Sequence, residues 1–124
     1  MSTELFILKK RADFLAANKG LRVALPGFVL LARPNHGLGK RYGVTVTKKI
    51  GNAVVRNRMK RRLRELAREL LPVAGLPDHD HVLIGREGGV EREFGLMREE
   101  LSTALARAAA GKGDRPRGRR GPKR

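Results

Sequence analysis

Residues 42–71, YGVTVTKKIGNAVVRNRMKRRLRELARELL, change apolar period partway along. From Tyr42 to Thr47 the residues alternate, with Val44 and Val46 on one face and Thr45 and Thr47 on the other. That is the pattern of a half-buried strand whose second face is polar but uncharged. Asn52 then offers an N-cap, and Pro72 predicts the end of a long helix near Leu71. At about 100° per residue, Val55, Met59, Leu63, Leu66, Ala67 and Leu70 fall within an arc of roughly 80°. Asn57, Lys60, Arg61, Arg64 and Arg68 fall in an opposing arc of roughly 100°, with Arg56 and Arg58 at its borders. One side must pack on a sheet, and the other presents guanidinium groups to solvent. Arg62 falls near the apolar edge, from which its stem is expected to carry the charge out to water.

The charge of the whole chain follows from this stretch and one other. The 124 residues hold 28 Lys and Arg against 12 Asp and Glu, a net +16. Residues 40–68 carry +10 of it and residues 111–124 carry +6, so the rest of the chain is neutral. A solvated cationic face normally interleaves Glu with Lys. Here Glu65 and Glu69 lie off the stripe, and the remaining repulsion calls for a polyanion, nucleic acid before anionic membrane. Arg outnumbers Lys along it, which favours bidentate phosphate contacts. Lys48-Lys49-Ile50-Gly51-Asn52, leading into the helix, forms a phosphate seat at a positive helix terminus. It lacks the Gly-x-x-x-x-Gly-Lys spacing of a nucleotide-binding loop.

Composition excludes several classes. There is no cysteine, hence no disulfide scaffold or thiolate metal site. The longest apolar run, Phe28–Ala32, is too short to span a bilayer. The amino terminus lacks the order of a secretory signal, so the cytoplasm is the expected location. Residues 1–110 read as one domain. The segment 111–124, GKGDRPRGRRGPKR, has no hydrophobic residue and is expected to be a disordered basic tail.

Outward from the central stretch, residues 9–19 predict a helix with Ala12, Leu15 and Ala16 on its inner stripe and Phe14 off it. Leu21–Leu25 and Phe28–Arg33 predict short strands parted by Pro26-Gly27, and His36 lies in an exposed turn. His81–Arg86 predicts another strand, and residues 91–109 a last helix on Phe94, Met97, Leu101, Leu105 and Ala108. Glu91, Glu93, Glu99 and Glu100 are expected on that helix as solvated charges. The order αβββαβα makes an α/β (α+β) two-layer sandwich with a small mixed sheet.

Residues 48–65, KKIGNAVVRNRMKRRLRE, closely resemble the signature of the bacterial ribonuclease P protein subunit. The core of that signature is Arg56-Asn57-Arg58, followed by Lys60, Arg61 and Arg64. The strand GVTVTKK before it, Arg11 to Phe14 as Arg-x-x-Phe, and the DHVLI of residues 80–84 stand in family order. The resemblance covers residues 8–109. It implies a ribosomal-protein-S5-domain-2-like fold with a left-handed βαβ crossover, where the general rule predicts a right-handed one. It also implies a protein that binds the catalytic RNA and helps it remove 5′ leaders from precursor tRNA. Arg56, Asn57, Arg58, Lys60, Arg61, Arg64 and Arg68 would contact the catalytic RNA. A cleft between the first helix and the sheet would hold the leader, with Phe14 and Val29 in it and Thr45, Lys48, Arg56 and Asn57 nearby. Asn18 and Leu31 stand where aromatics are common in the family, so stacking on leader bases should be limited and charge should matter more.

No Ser-His-Asp set, nucleophile elbow or paired carboxylate suggests a protein-borne active site. The expected activity is that of an endoribonuclease holoenzyme in which RNA and its bound Mg²⁺ do the chemistry and the protein alone is inactive. Asp78-His79-Asp80-His81 is rich in metal-ligating atoms, but neighbours in sequence rarely converge on one ion, so it reads as the polar start of a strand. A ribosomal or other structural RNA-binding protein would share the charge and fold class. A major-groove DNA reader would need a short helix and tight turn before the long helix, where a strand stands instead. The partners implied are the catalytic RNA and precursor tRNA, with no membrane and no protein partner.

Overall fold

The computed structural model describes residues 4–113. Its elements are β1 (Leu5–Ile7), α1 (Arg11–Ala17), β2 (Leu21–Ala24), β3 (Phe28–Pro34), β4 (Lys40–Thr45), α2 (Ala53–Ala74), β5 (His79–Gly85) and α3 (Phe94–Ala109). The five strands lie in the order β1-β4-β5-β3-β2. β4 runs parallel to both β1 and β5, whereas β3 is antiparallel to both β5 and β2, so the sheet is mixed. None of the described helices is long and apolar enough to cross a membrane.

Alternation along the strands builds two cores. Val23, Phe28, Leu30, Ala32, Tyr42 and Leu83 face α2 and α3, which contribute Met59, Leu63, Leu66, Ala67, Leu71, Met97, Leu101, Ala104, Leu105 and Ala108. This is the two-layer sandwich. On the reverse face Val29, Leu31 and Val82 meet Leu8 and Ala17, with Phe14, Ala24 and Ile84 packed at the margin. The short α1 covers only part of that face. The apolar arc of α2 is buried as its spacing requires: Met59, Leu63, Leu66 and Ala67 have no exposed surface.

Several elements differ from the sequence expectation. β1 is an additional edge strand, too short for a periodic signal and with Phe6 and Ile7 exposed. α1 buries Ala17 and half-buries Phe14, while Ala12 and Leu15 are exposed, so its inner stripe is not Ala12-Leu15-Ala16. The reason lies across the sheet. A Cβ on Gly43 would sit 2.4 Å from Phe14 Cζ, so only glycine there lets the ring settle on β4. The strand predicted over 42–47 instead spans Lys40–Thr45, although Val46 is still buried.

α2 starts as expected, with Asn52 Oδ1 accepting from the Val55 N–H at 3.0 Å, but it continues through Pro72 to Ala74. A proline in the last turn removes one intrahelical donor, and the turn still closes through the Gly75 N–H to the Leu71 carbonyl. Lys40 Nζ donates to the Pro72 carbonyl at 2.8 Å. β5 begins two residues before its predicted start. α3 begins at Phe94, not residue 91, because Glu93 caps it by accepting the Leu96 N–H at 3.0 Å. Glu91 therefore precedes the helix and pairs with Arg58, while Glu100 holds Arg92. Of the predicted tail, residues 111–113 are described, with Gly113 against Leu21 and Arg22, and the rest lies outside the described residues.

Candidate RNA-binding surface

Asn57, Arg61, Arg64 and Arg68 are exposed on the solvent side of α2, with Lys60 and Arg56 half-buried beside them. None of these takes part in an ion pair among the described residues. Arg58 is 3.3 Å from Glu91 in a pair exposed on both sides, a contact weak enough to exchange for a phosphate. Glu69 is committed to Arg98, which keeps it from neutralising the stripe. Arg62 departs from expectation. It turns toward the start of α3 instead of reaching water, donating to the Arg92 carbonyl and to Met97 Sδ and lying 5.7 Å from the centre of the Phe94 ring. The free carbonyl of Arg92, just ahead of α3, draws the guanidinium inward.

On the reverse face, α1 and the uncovered strands enclose a cleft of about 450 Å³. Its floor comes from Leu31, Val82 and Ile84 with Val44 and Thr45, and its wall from Arg11, Phe14, Leu15 and Asn18, with Lys9 at the rim. Phe14 and Thr45, which the resemblance assigns to a leader cleft, both line it. Val29 is buried beneath the floor at 5% exposure. Lys48, Arg56 and Asn57 do not line the cleft; they follow the end of β4, in the turn Lys48–Ile50 and the first two turns of α2. Arg11, Leu15, Val82 and Ile84 were not anticipated as lining residues. Arg11 and Leu15 carry a signal, since with Phe14 and Asn18 they follow helical i, i+3, i+4, i+7 spacing, whereas Val82 and Ile84 reach the cleft only through the place of β5 in the sheet.

Because β1 ends at Ile7, the later half of β4 lies open at the edge of the sheet. A hollow of about 190 Å³ there brings Phe14 and Gly43 together with Arg64 and Arg68. The cleft of one face and the cationic stripe of the other are therefore continuous around the edge.

A polar cluster fixes α1 against the sheet. The Asp80 carboxylate accepts from Arg41 Nε at 2.7 Å, Arg41 Nη2 at 2.9 Å and Asn35 Nδ2 at 2.9 Å. Arg41 also lies 3.7 Å from Asp13 of α1. Burial works to raise the Asp80 pKa, but hydrogen bonds from Arg41 and then Asn35 outweigh it and hold the carboxyl below its ordinary range. The bond to Asp80 in turn raises the Arg41 pKa. His81 is fully buried. Its Nε2 accepts the Leu76 N–H at 3.0 Å, so Nδ1 carries the proton toward the Arg41 carbonyl at 3.0 Å. Burial pushes the imidazole pKa down to about 4. Asp80 and His81 thus hold β5 to its neighbours.

The family model described as Ribonuclease P matches residues 4–109. This chain belongs to that family. It is 75% identical to the ribonuclease P protein component of Erythrobacter litoralis over 92% of this chain and 93% of that one. It is 42% identical to that of Paramagnetospirillum magneticum over 89% and 87%. Among solved structures, the RNase P protein of Staphylococcus aureus aligns with a TM-score of 0.70 at 31% identity, covering 85% of this chain and 96% of that one. That of Thermotoga maritima aligns with a TM-score of 0.70 at 32% identity, covering 81% and 94%. The mixed sheet and its helices are thus those of ribonuclease P proteins.

Proposed function

We propose that this chain is the protein subunit of the ribonuclease P holoenzyme, binding the catalytic RNA through the stripe of α2 and the 5′ leader of precursor tRNA in the cleft beside α1. The observation that carries this is the continuity of the two surfaces, where Phe14 of the cleft meets Arg64 and Arg68 of the stripe. A substrate strand in the cleft then lies next to RNA held on α2. The cleft suits single-stranded RNA: its apolar floor and the Phe14 ring receive bases, while Lys9 and Arg11 receive phosphates. Asn18 and Leu31 in its lining offer no ring, so charge supplies more of the binding than stacking does.

Hydrolysis of the phosphodiester bond is assigned to the RNA with its bound Mg²⁺. Among the described residues no three His, Asp or Glu side chains converge. The protein contributes by neutralising phosphates that would otherwise repel one another, which lowers the Mg²⁺ needed to bring substrate and RNA together. The test is reconstitution of purified protein with ribonuclease P RNA and labelled precursor tRNA in the cytoplasmic range of Mg²⁺. RNA plus protein should remove the leader where RNA alone is slow, and protein alone should not. Absence of stimulation would favour a structural RNA-binding role, and cleavage by RNA-free protein would place the chemistry in the chain.

A further inference from the structure

We propose that a leader long enough to leave the cleft crosses α1 at Lys9 and is held in a second seat on the far side of that helix. This rests on the cleft as the leader site. The second hollow, of about 340 Å³, is lined by Ile7, Lys9, Lys10, Asp13, Leu38 and Arg41. Lys9 also stands on the rim of the cleft, so one cation borders both.

The chemistry of the lining selects the occupant. Arg41 is already matched by Asp80 and Asp13, which leaves Lys9 and Lys10 as the cations available to a ligand. Both are exposed, and neither enters an ion pair among the described residues. Beside them Ile7 is 58% and Leu38 56% exposed. One exposed aliphatic side chain is ordinary, but two in a hollow with two lysines offer apolar and cationic contacts together. Single-stranded RNA presents phosphates and unstacked base faces together, whereas an A-form duplex hides its base faces. Continuity with the cleft favours the same strand over an unrelated acidic peptide. Direction follows from the sheet. Thr45, in the cleft, leads toward Lys48 and the stripe, whereas Leu38 and Arg41 lie at the opposite end of β4. A leader that enters the cleft at its Thr45 end therefore reaches the second seat only with its more distant part.

The test is holoenzyme affinity for precursor tRNAs with leaders of graded length, comparing the parent with Lys10→Glu/Leu38→Ser and with Phe14→Ala. The double substitution should spare the fold, because Leu38 is exposed and the Lys10 side chain makes no capping bond to α1. Parent affinity should rise in two steps, as the leader fills the cleft and then reaches the second seat. The double variant should keep the first step and lose the second, a weakening on the order of threefold to tenfold at the longest leaders. Its salt slope there should fall by about 0.7 for each phosphate no longer neutralised. Phe14→Ala should reduce the first step. A double variant that matches the parent at every length, or that weakens all lengths equally, overturns the second seat. If the double variant behaves normally and binds an acidic peptide more weakly, the hollow belongs to a protein partner. Loss of the second step with no effect of Phe14→Ala on the first retains the seat and removes the leader from the cleft.

Discussion

Acid should unfold this protein earlier than its carboxylates alone would dictate, because His81 is buried in its neutral form. The unfolded chain takes up a proton at this residue near pH 6.5, whereas the folded chain resists until about 4. Above that window both states are neutral and the contribution is complete. As the pH falls through it, the unfolded state gains a proton that the folded state lacks, and stability declines. At about 1.36 kcal/mol per pH unit, the loss reaches roughly 3 kcal/mol by about pH 4. That is a large share of the roughly 5–15 kcal/mol typical of a domain. Asp80, held below its ordinary range, adds its own loss only as the pH drops below the usual carboxylate value. Urea unfolding followed by circular dichroism from about pH 7.5 to about pH 4.5 measures the slope. His81→Gln cannot titrate, so it should be less stable near neutrality but much flatter across the window. A flat parent profile, or the same slope in His81→Gln, would show that His81 is protonated in the fold and that its two hydrogen bonds are misassigned.

Gly43→Ala would place a Cβ 2.4 Å from Phe14 Cζ, driving the ring off β4. Affinity for precursor tRNA should fall by about 1–3 kcal/mol with mature tRNA unaffected, and equal losses for both would remove Phe14 from the leader path. Arg61→Ala/Arg64→Ala removes two exposed cations and no apolar surface, so melting should change little while the salt slope for RNA binding falls by roughly 0.7–0.9 per phosphate; an unchanged slope would put the RNA elsewhere. Arg62→Ala loses its bonds to Arg92 and Met97 and its place over Phe94, which should cost about 1–3 kcal/mol of stability at unchanged RNA affinity. Full stability with weakened RNA binding would return Arg62 to the binding face.

Long-period features are legible in the amino-acid sequence alone. The α2 stripe, its Asn52 cap, the alternation of β4 and the apolar run of β3 follow from local spacing, and Met59, Leu63, Leu66 and Ala67 are buried along the arc that begins at Val55. What escapes local spacing is decided by partners distant in sequence. β1 is visible only through its pairing with β4, and the orientation of α1 depends on the space left by Gly43. Arg62 carries no local sign that the start of α3 would claim it. Asp80 and His81 resemble metal ligands or a polar strand start in sequence, and only the fold brings Arg41, Asn35 and Leu76 beside them. The hollow joining Phe14 to Arg64 and Arg68 exists because β1 stops early, a matter of edge length that no periodicity encodes.

The strand order β1-β4-β5-β3-β2 has a bearing on biosynthesis. β3 and β4 are consecutive along the chain but not neighbours in the sheet, because β5 lies between them. A growing chain can pair β2 with β3, and β1 with β4, yet the two halves cannot join until residues 79–85 have emerged. By then the whole of α2 has been made. Until then its cationic side is available to polyanions while its apolar side still lacks β5 and α3, and bound RNA would hold the helix formed until they arrive.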